Sequence, residues 1–297
     1  MYSTDERKRS GPGGSQAGGK KLAVVCRSRE TPNRGSVFRK TPGVLPGGAM
    51  PFFEGAEWIR HHSGYTAGKA EKTNMGKLIV IEGLDGSGKA TQAGLLEKNL
   101  KEQGDPVRKV SFPDYSSESS ALIKMYLAGQ FGTHPDDVNA YAASSFFAVD
   151  RYASYKKDWQ EDYRNGIIIA DRYTTSNAIH QCAKLPREQW GLFVDWLFDY
   201  EYRLLGIPAP DLVIYLKVDL IVSQKLITER YHGHEEKKDI HEKDLAYLNR
   251  CQEAAAYCAQ RCGWKTVECA AGDQMRPMEE IQAEILLLLN PSGIIER

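Results

Sequence analysis

No stretch of this sequence is apolar over anything near the ~18 residues that a membrane-crossing helix needs. The apolar run Ile285 to Leu289 sits inside a C-terminal helical pattern and reads as a core face. Charge of one sign is also lacking. The 39 Lys and Arg residues balance 39 Asp and Glu residues, so no overall field steers the 297-residue chain toward nucleic acid or an anionic membrane. The six cysteines, Cys26, Cys182, Cys251, Cys258, Cys262 and Cys269, include no C-x-x-C pair, and no apolar segment of secretory type is evident. Cys251, Cys258 and Cys262 are spaced to share one helix face. They read as small apolar side chains in a reducing compartment rather than as metal or disulfide partners, and a cytoplasmic location is expected.

Periodicity is what residues 1–74 lack. They are rich in Gly, Ser, Pro and Arg, as in Gly11-Pro12-Gly13-Gly14, and basic residues outnumber acidic ones. Such composition cannot bury enough apolar surface to offset its ordering entropy, so a disordered extension is expected. Three readings compete for it: a translated region upstream of a start at Met75, an Arg- and Ser-rich transit segment that would direct the chain to an organelle, and a basic tail that touches nucleic acid.

From Met75 onward, short β-branched runs alternate with amphipathic stretches. The runs Leu78–Glu82, Val107–Phe112, Gly166–Asp171, Leu212–Val218 and Thr266–Cys269 are apolar enough for strands covered on both faces. Helices are predicted over Ala90–Gln103, Ser119–Ala128, Asp136–Tyr163, Pro186–Leu205 and Glu242–Arg261, and a last one from Pro277 to about Asn290. The alternation predicts a three-layer α/β sandwich, with a five-stranded parallel sheet flanked by helices, over residues 75–297.

The segment Gly83-Leu84-Asp85-Gly86-Ser87-Gly88-Lys89-Ala90-Thr91 follows the first strand and opens the first helix, which is the context of a phosphate-binding loop. Its glycines let backbone N–H groups converge on phosphate oxygens, and the helix N-terminus adds its positive end. Lys89 is then placed to reach the β- and γ-phosphates of ATP. The hydroxyl residue that usually follows the lysine and binds Mg²⁺ is replaced by Ala90, so Asp85 is the nearest candidate metal ligand.

The acceptor is signalled by four further segments: Phe112-Pro113-Asp114-Tyr115, Phe146 to Arg151, Asp171 to Gln181, and Asp239-Ile240-His241-Glu242. Phe147 and Arg151 are four apart on a helix, so a ring that can stack on a base lies beside a guanidinium that can bond its carbonyl edge. Asp85, Phe112, Asp171 and Arg172 end strands of an open parallel sheet, where ligands bind.

With these segments in place, the chain from Met75 onward resembles the thymidylate kinase family, carried by the Asp85-containing loop, Phe112-Pro113, Asp150-Arg151, Asp171-Arg172-Tyr173 with Ser176 and Asn177, and Pro210-Asp211-Leu212. The resemblance implies transfer of the γ-phosphoryl group of ATP to dTMP, with Mg²⁺. Phe147 would stack on thymine, Arg151 would bond a thymine carbonyl, and Asn177 would bond the base edge. Asp85 would contact the sugar and organise phosphate and metal, Tyr115 would sit near the sugar, and Arg172 would bind phosphates. Catalysis would rest on Lys89, Asp85 and Arg172, and the substrate site on Phe112, Pro113, Tyr115, Phe147, Arg151, Asn177 and His180. Arg230–Glu242 resembles the family's lid, and a homodimer is implied.

Three positions depart from the family's pattern: Ala90, Asp114 in place of a phosphate-binding arginine, and His180 in place of a tyrosine that helps exclude ribonucleotides. Asp114 would repel a monophosphate, so another cation must compensate. His232, His234 and His241 lack a matching ligand cluster, so a solvated flap is expected rather than a zinc site. The competing functions are a kinase for another deoxynucleotide or deoxynucleoside, a non-catalytic nucleotide-binding protein, and a nucleic-acid binder acting through residues 1–74. The partners expected are small nucleotides, not nucleic acid or membrane.

Overall fold

The apolar side chains of the first strand alternate between two different cores, and the sheet is built around that alternation. In this computed structural model the described residues are 76–230, 239–290, 292 and 294. The expected extension over residues 1–74 and most of the expected lid, with His232 and His234, lie outside them.

Strand β1 (Lys77–Glu82) sends Leu78 and Val80 into one core and Ile79 and Ile81 into the other, all four fully buried. Strands β2 (Val107–Ser111), β3 (Ile167–Asp171), β4 (Leu212–Lys217) and β5 (Lys265–Glu268) complete a five-stranded parallel sheet in the order β2-β3-β1-β4-β5. Each lies within two residues of its sequence-predicted bounds. One face is covered by α1 (Lys89–Glu102) and α9 (Met278–Leu289), which contribute Leu96, Leu100, Ile281 and Ile285. The other is covered by α3 (Ala140–Ser154), α5 (Thr174–Cys182), α6 (Trp190–Phe198) and α8 (Leu245–Cys262). Cys182, Cys251 and Cys258 are buried, unbonded parts of that core, as expected for small apolar side chains.

Two of the predicted helices are interrupted. The stretch expected to be one helix over Asp136–Tyr163 is α3, a π-helical turn (Tyr155–Trp159) and α4 (Gln160–Asn165), with the Gln160 N–H donating five residues back to the Tyr155 carbonyl. The wider turn lets Tyr155 and Trp159 pack edge to face at 4.7 Å in the core. The stretch expected over Pro186–Leu205 is α6 followed by a second π-helical turn, Asp199–Leu204. The sequence reading missed three elements: α5, α7 (Leu220–Arg230) and a small hairpin, β6 (Ala270–Ala271) with β7 (Gln274–Met275). Helix α2 (Ala121–Leu127) completes the wall above the sheet's carboxyl edge.

Register fixes the site. Ile81 of β1 stands opposite Asp171 of β3, and Ser111 of β2 stands opposite the same Asp171. The loops that leave these strands, at Glu82, Phe112 and Arg172, therefore emerge side by side at one edge of the sheet, as expected for a ligand crevice.

Candidate active site

A cleft of about 1030 Å³ opens at that edge. It is lined by the phosphate-binding loop (Asp85, Gly86, Gly88 to Thr91), by Arg172, and by Asp239 and Glu242. A second cavity of about 100 Å³ adjoins it, lined by Phe147, Arg151, Asn177, His180 and Gln181. Asp85, Phe112, Pro113, Tyr115, Arg172 and Asp239 line both. Phe112, Pro113, Tyr115, Phe147, Arg151, Asn177 and His180, the substrate site expected from the sequence, thus all line the smaller cavity.

The loop itself is set by left-handed turns. Gly86 and Gly88 have φ of 77° and 83°, and Gly88 closes the N-terminus of α1. A side chain at Gly86 would stand 2.5 Å from the Ser223 carbonyl of α7, so only glycine fits there. Lys89 is buried, and its Nζ donates to the loop's own Leu84 carbonyl at 2.7 Å. Desolvation by burial, helped by the neighbouring Arg172 cation, pushes its pKa down to about 8. Ala90 and Thr91 are exposed on the large cleft.

Asp85 and Arg172, expected to hold metal and phosphate separately, instead form an ion pair with each other. Arg172 is the one described non-glycine residue with φ in the left-handed range, at 66°. That conformation costs about 1–2 kcal/mol, and it turns the guanidinium back over the loop. There Nη1 reaches the Gly83 carbonyl at 3.4 Å and Ser176 Oγ at 3.3 Å. Burial alone would lower the Arg172 pKa, but the Asp85 and Glu82 carboxylates outweigh it and hold the guanidinium charged. Glu82 is fully buried and accepts from the Thr175 hydroxyl at 2.6 Å and the Ser176 hydroxyl at 2.8 Å. Sequence reasoning counted it only as a strand end.

Asp239 and Glu242 close the other side through a reciprocal cap. Asp239 Oδ1 accepts from the His241 and Glu242 N–H groups at 2.8 and 2.9 Å. Burial, with the Asp85 and Glu242 charges, raises the Asp239 pKa to about 6.

Several expectations need correction. Asp114 lines neither cavity: its Oδ1 accepts from the Ser116 N–H at 3.1 Å and the Ser116 hydroxyl at 2.6 Å, in an Asx turn. Asp150 fastens that turn, accepting from the Asp114 N–H at 3.0 Å and the Ser119 hydroxyl at 2.6 Å. His241 is no part of a solvated flap. It is buried, stacks on His180 with ring centres 5.4 Å apart, and bonds the Tyr126 hydroxyl at 2.8 Å. Burial pushes His180 down to about 3 and His241 well below the ordinary value, so both rings are neutral. Phe112 is mostly core, packed on Tyr173 at 5.8 Å, while Phe147 is half-buried with its edge to Tyr126 at 6.3 Å.

Arg151, expected to bond a thymine carbonyl, is engaged within the protein as well. It is 2 % exposed and forms a bidentate pair with Glu201, from Nε to Oε2 at 2.7 Å and from Nη2 to Oε1 at 2.5 Å. Burial opposes the Arg151 charge, and Glu201 more than restores it. Sequence reasoning missed Glu201, Tyr126 and Lys184, whose Nζ donates to the Tyr126 hydroxyl at 2.8 Å. Glu201 sits among aromatic residues in a helical pattern, where a carboxylate reads as a solvated face.

Oxygen donors suit Mg²⁺, and Asp85 and Asp239 border both cavities. Among the described residues no group of three or more His, Cys, Asp or Glu side chains is placed to hold a metal. The donor set therefore fits an ion held mainly by phosphate oxygens and water. No helix among the described residues is long and apolar enough to cross a membrane.

The family model described as thymidylate kinase matches residues 81–285. A thymidylate kinase of Mycobacterium tuberculosis is 32 % identical over 193 residues, covering 63 % of this chain and 87 % of that protein. A thymidylate kinase of Caenorhabditis elegans is 32 % identical over 217 residues, covering 69 % of this chain and 87 % of that protein. A solved structure of thymidylate kinase from Candida albicans superposes with a TM-score of 0.56 at 23 % identity, over 75 % of this chain and 96 % of that one, and supports the fold.

Proposed function

This chain belongs to the thymidylate kinase family, and from that premise we infer how its residues carry the phosphoryl transfer from ATP to dTMP. The single observation behind the assignment of roles is the pair of adjoining cavities that share Asp85, Arg172 and Asp239. ATP takes the large cleft, with its phosphates over the loop. The acceptor takes the small cavity, with its base against Phe147, Arg151 and Asn177 and its phosphate directed toward the shared wall.

Lys89 exchanges the Leu84 carbonyl for phosphate oxygens, and Arg172 exchanges Asp85 for the transferring group. Both cations then stabilise charge in a transition state that calls for positioning more than covalent chemistry. No general base is needed, since the acceptor phosphate is already anionic. Asp85, with Asp239, would hold Mg²⁺ alongside phosphate oxygens and water, and the ion would supply neutralisation of phosphate charge. His180 and His241, as neutral stacked rings, wall the sugar side. A homodimer is proposed from the family resemblance and is checked by sedimentation. A cytoplasmic site of action is proposed from the unbonded buried cysteines.

The test is ADP release with ATP, Mg²⁺ and a panel of nucleoside monophosphates. dTMP is expected to be the best acceptor. Asp85→Asn is expected to lower kcat by about 3–4 kcal/mol in barrier, the scale of one lost electrostatic stabiliser. A different best acceptor overturns the base assignment. Near wild-type turnover by Asp85→Asn overturns its role at the metal and acceptor.

A further inference from the structure

Glu201 is a fully buried carboxylate bonded to two residues that line the acceptor cavity, yet it does not line that cavity itself. It lies in the π-helical turn Asp199–Leu204, closed by the Leu205 N–H donating five residues back to the Tyr200 carbonyl at 2.9 Å. Such turns re-aim one residue of a helix and recur at functional sites.

Its two oxygens accept four hydrogen bonds. Oε2 takes Arg151 Nε at 2.7 Å and the Thr174 hydroxyl at 2.9 Å. Oε1 takes Arg151 Nη2 at 2.5 Å and Asn177 Nδ2 at 3.1 Å. One oxygen atom thus holds Arg151 and Asn177 side by side, and both border the small cavity.

The bonds also fix which way each group faces. Asn177 spends its amide N–H bonds on Glu201 and on the Ser144 carbonyl at 3.1 Å. Both partners are acceptors, so the amide cannot turn over without setting its oxygen against theirs. What remains of Asn177 is an acceptor, its Oδ1. What remains of Arg151 is a donor, since beyond Glu201 its Nη1 has one long contact, 3.4 Å to the Tyr173 carbonyl. A donor next to an acceptor matches the 4-carbonyl and 3-N–H edge of thymine or uracil. It opposes cytosine, whose edge carries the inverse pattern.

We propose that Glu201 is a positioning residue that fixes the hydrogen-bonding polarity of the base site, so that a 4-oxo pyrimidine is accepted and a 4-amino pyrimidine refused. This deepens the function proposed above and rests on it. A carboxylate can serve all four donors, whereas an amide cannot. In Glu201→Gln, either orientation sets an NH₂ group against an Arg151 N–H. In one of them the amide of Asn177 must also reverse.

The experiment compares wild type, Glu201→Gln and Glu201→Asp, measuring KM for dTMP, KM for ATP and the inhibition constant of 5-methyl-dCMP against dTMP. Glu201→Gln is expected to narrow the preference for dTMP over 5-methyl-dCMP at least tenfold, while KM for ATP stays within twofold. Glu201→Asp, which keeps an acceptor-only carboxylate one methylene further back, is expected to raise KM for dTMP and keep the preference. A purely structural role predicts that both nucleotides weaken together, and that result, or an unchanged preference in Glu201→Gln, overturns the proposal. Should Glu201→Gln fail to fold, N3-methyl-dTMP decides on the wild-type protein. Binding weaker than dTMP by tenfold or more supports an acceptor fixed at the ring N–H, and equal binding overturns it. Absence of any dTMP turnover by the wild type overturns the proposed function as well, whereas wild-type turnover with unaltered selectivity in Glu201→Gln overturns only the role of Glu201.

Discussion

Two titrating residues line the phosphate cleft, and both are tuned by burial. Lys89 is drawn down to about 8 and Asp239 up to about 6. Between those values Lys89 is a cation and Asp239 an anion, which is the pairing the phosphate and metal roles need. In the free enzyme kcat/KM for ATP is therefore expected to rise with pH through about 6 and fall through about 8, because that quantity reports the unliganded protein. Bound phosphates favour the charged lysine, so the alkaline limb of kcat is expected to move to higher pH than that of kcat/KM. Lys89→Ala is expected to lower kcat sharply and remove the alkaline limb, with the fold intact, because the Lys89 ammonium engages only the loop's own Leu84 carbonyl and Asp85 among the described residues. Initial-rate pH profiles at limiting and saturating ATP check this. An alkaline limb that survives in a folded, active Lys89→Ala variant assigns the titration elsewhere. At this scale the sequence was legible where chemistry has a motif, as at Lys89, Asp85 and Arg172. It was not legible where a residue acts through another, as at Glu201, or where two loops distant in sequence pair their charges, as Asp85 and Arg172 do.

Among the elements, the five strands were readable because parallel strands buried on both faces are short apolar runs. The bounds of α1, α8 and α9 were readable from apolar periodicity and from stop residues. The π-helical turns were not, since their extra residue leaves the apolar spacing nearly helical. Helix α5 was hidden because it is short and carries polar residues such as Thr174, Asn177 and Gln181, all buried here to serve the site. The phosphate loop and α7 form a further pair that sequence did not couple. Gly86 packs against the Ser223 backbone, whereas a side chain at Gly88 would meet no atom within 4 Å. Gly88→Ala is thus expected to lose only the left-handed strain, about 1–2 kcal/mol of stability, and to weaken ATP by placing a methyl group where phosphate approaches. Gly86→Ala carries the same strain and a backbone clash, so its melting temperature should fall further. Thermal denaturation with and without ATP separates the two, and equal losses of melting temperature would mean that the loop does not lean on α7.

For the molecule as a whole, the division near Met75 is a proposal drawn from composition: the periodic pattern starts there, and β1 begins at Lys77. Strand β1 is not an edge. It has β3 on one side and β4 on the other, and both of its faces are covered by helices that lie between residues 89 and 289. Gly76 and Lys77 enter it through a tight approach: the Lys77 N–H donates to the Gly166 carbonyl at 3.0 Å, and a side chain at Gly76 would fall 1.3 Å from the Tyr163 carbonyl oxygen. The chain is thus already fixed against β3 two residues after Met75, and the strand that carries the phosphate loop draws its neighbours from the residues that follow. A chain beginning at Met75 is accordingly expected to unfold at a melting temperature within a few degrees of the full-length protein and to phosphorylate dTMP with the same kcat and KM. Side-by-side thermal denaturation and steady-state kinetics check this. If the shorter chain loses activity while the longer one keeps it, residues 1–74 belong to the enzyme's working fold, and the proposed boundary is wrong.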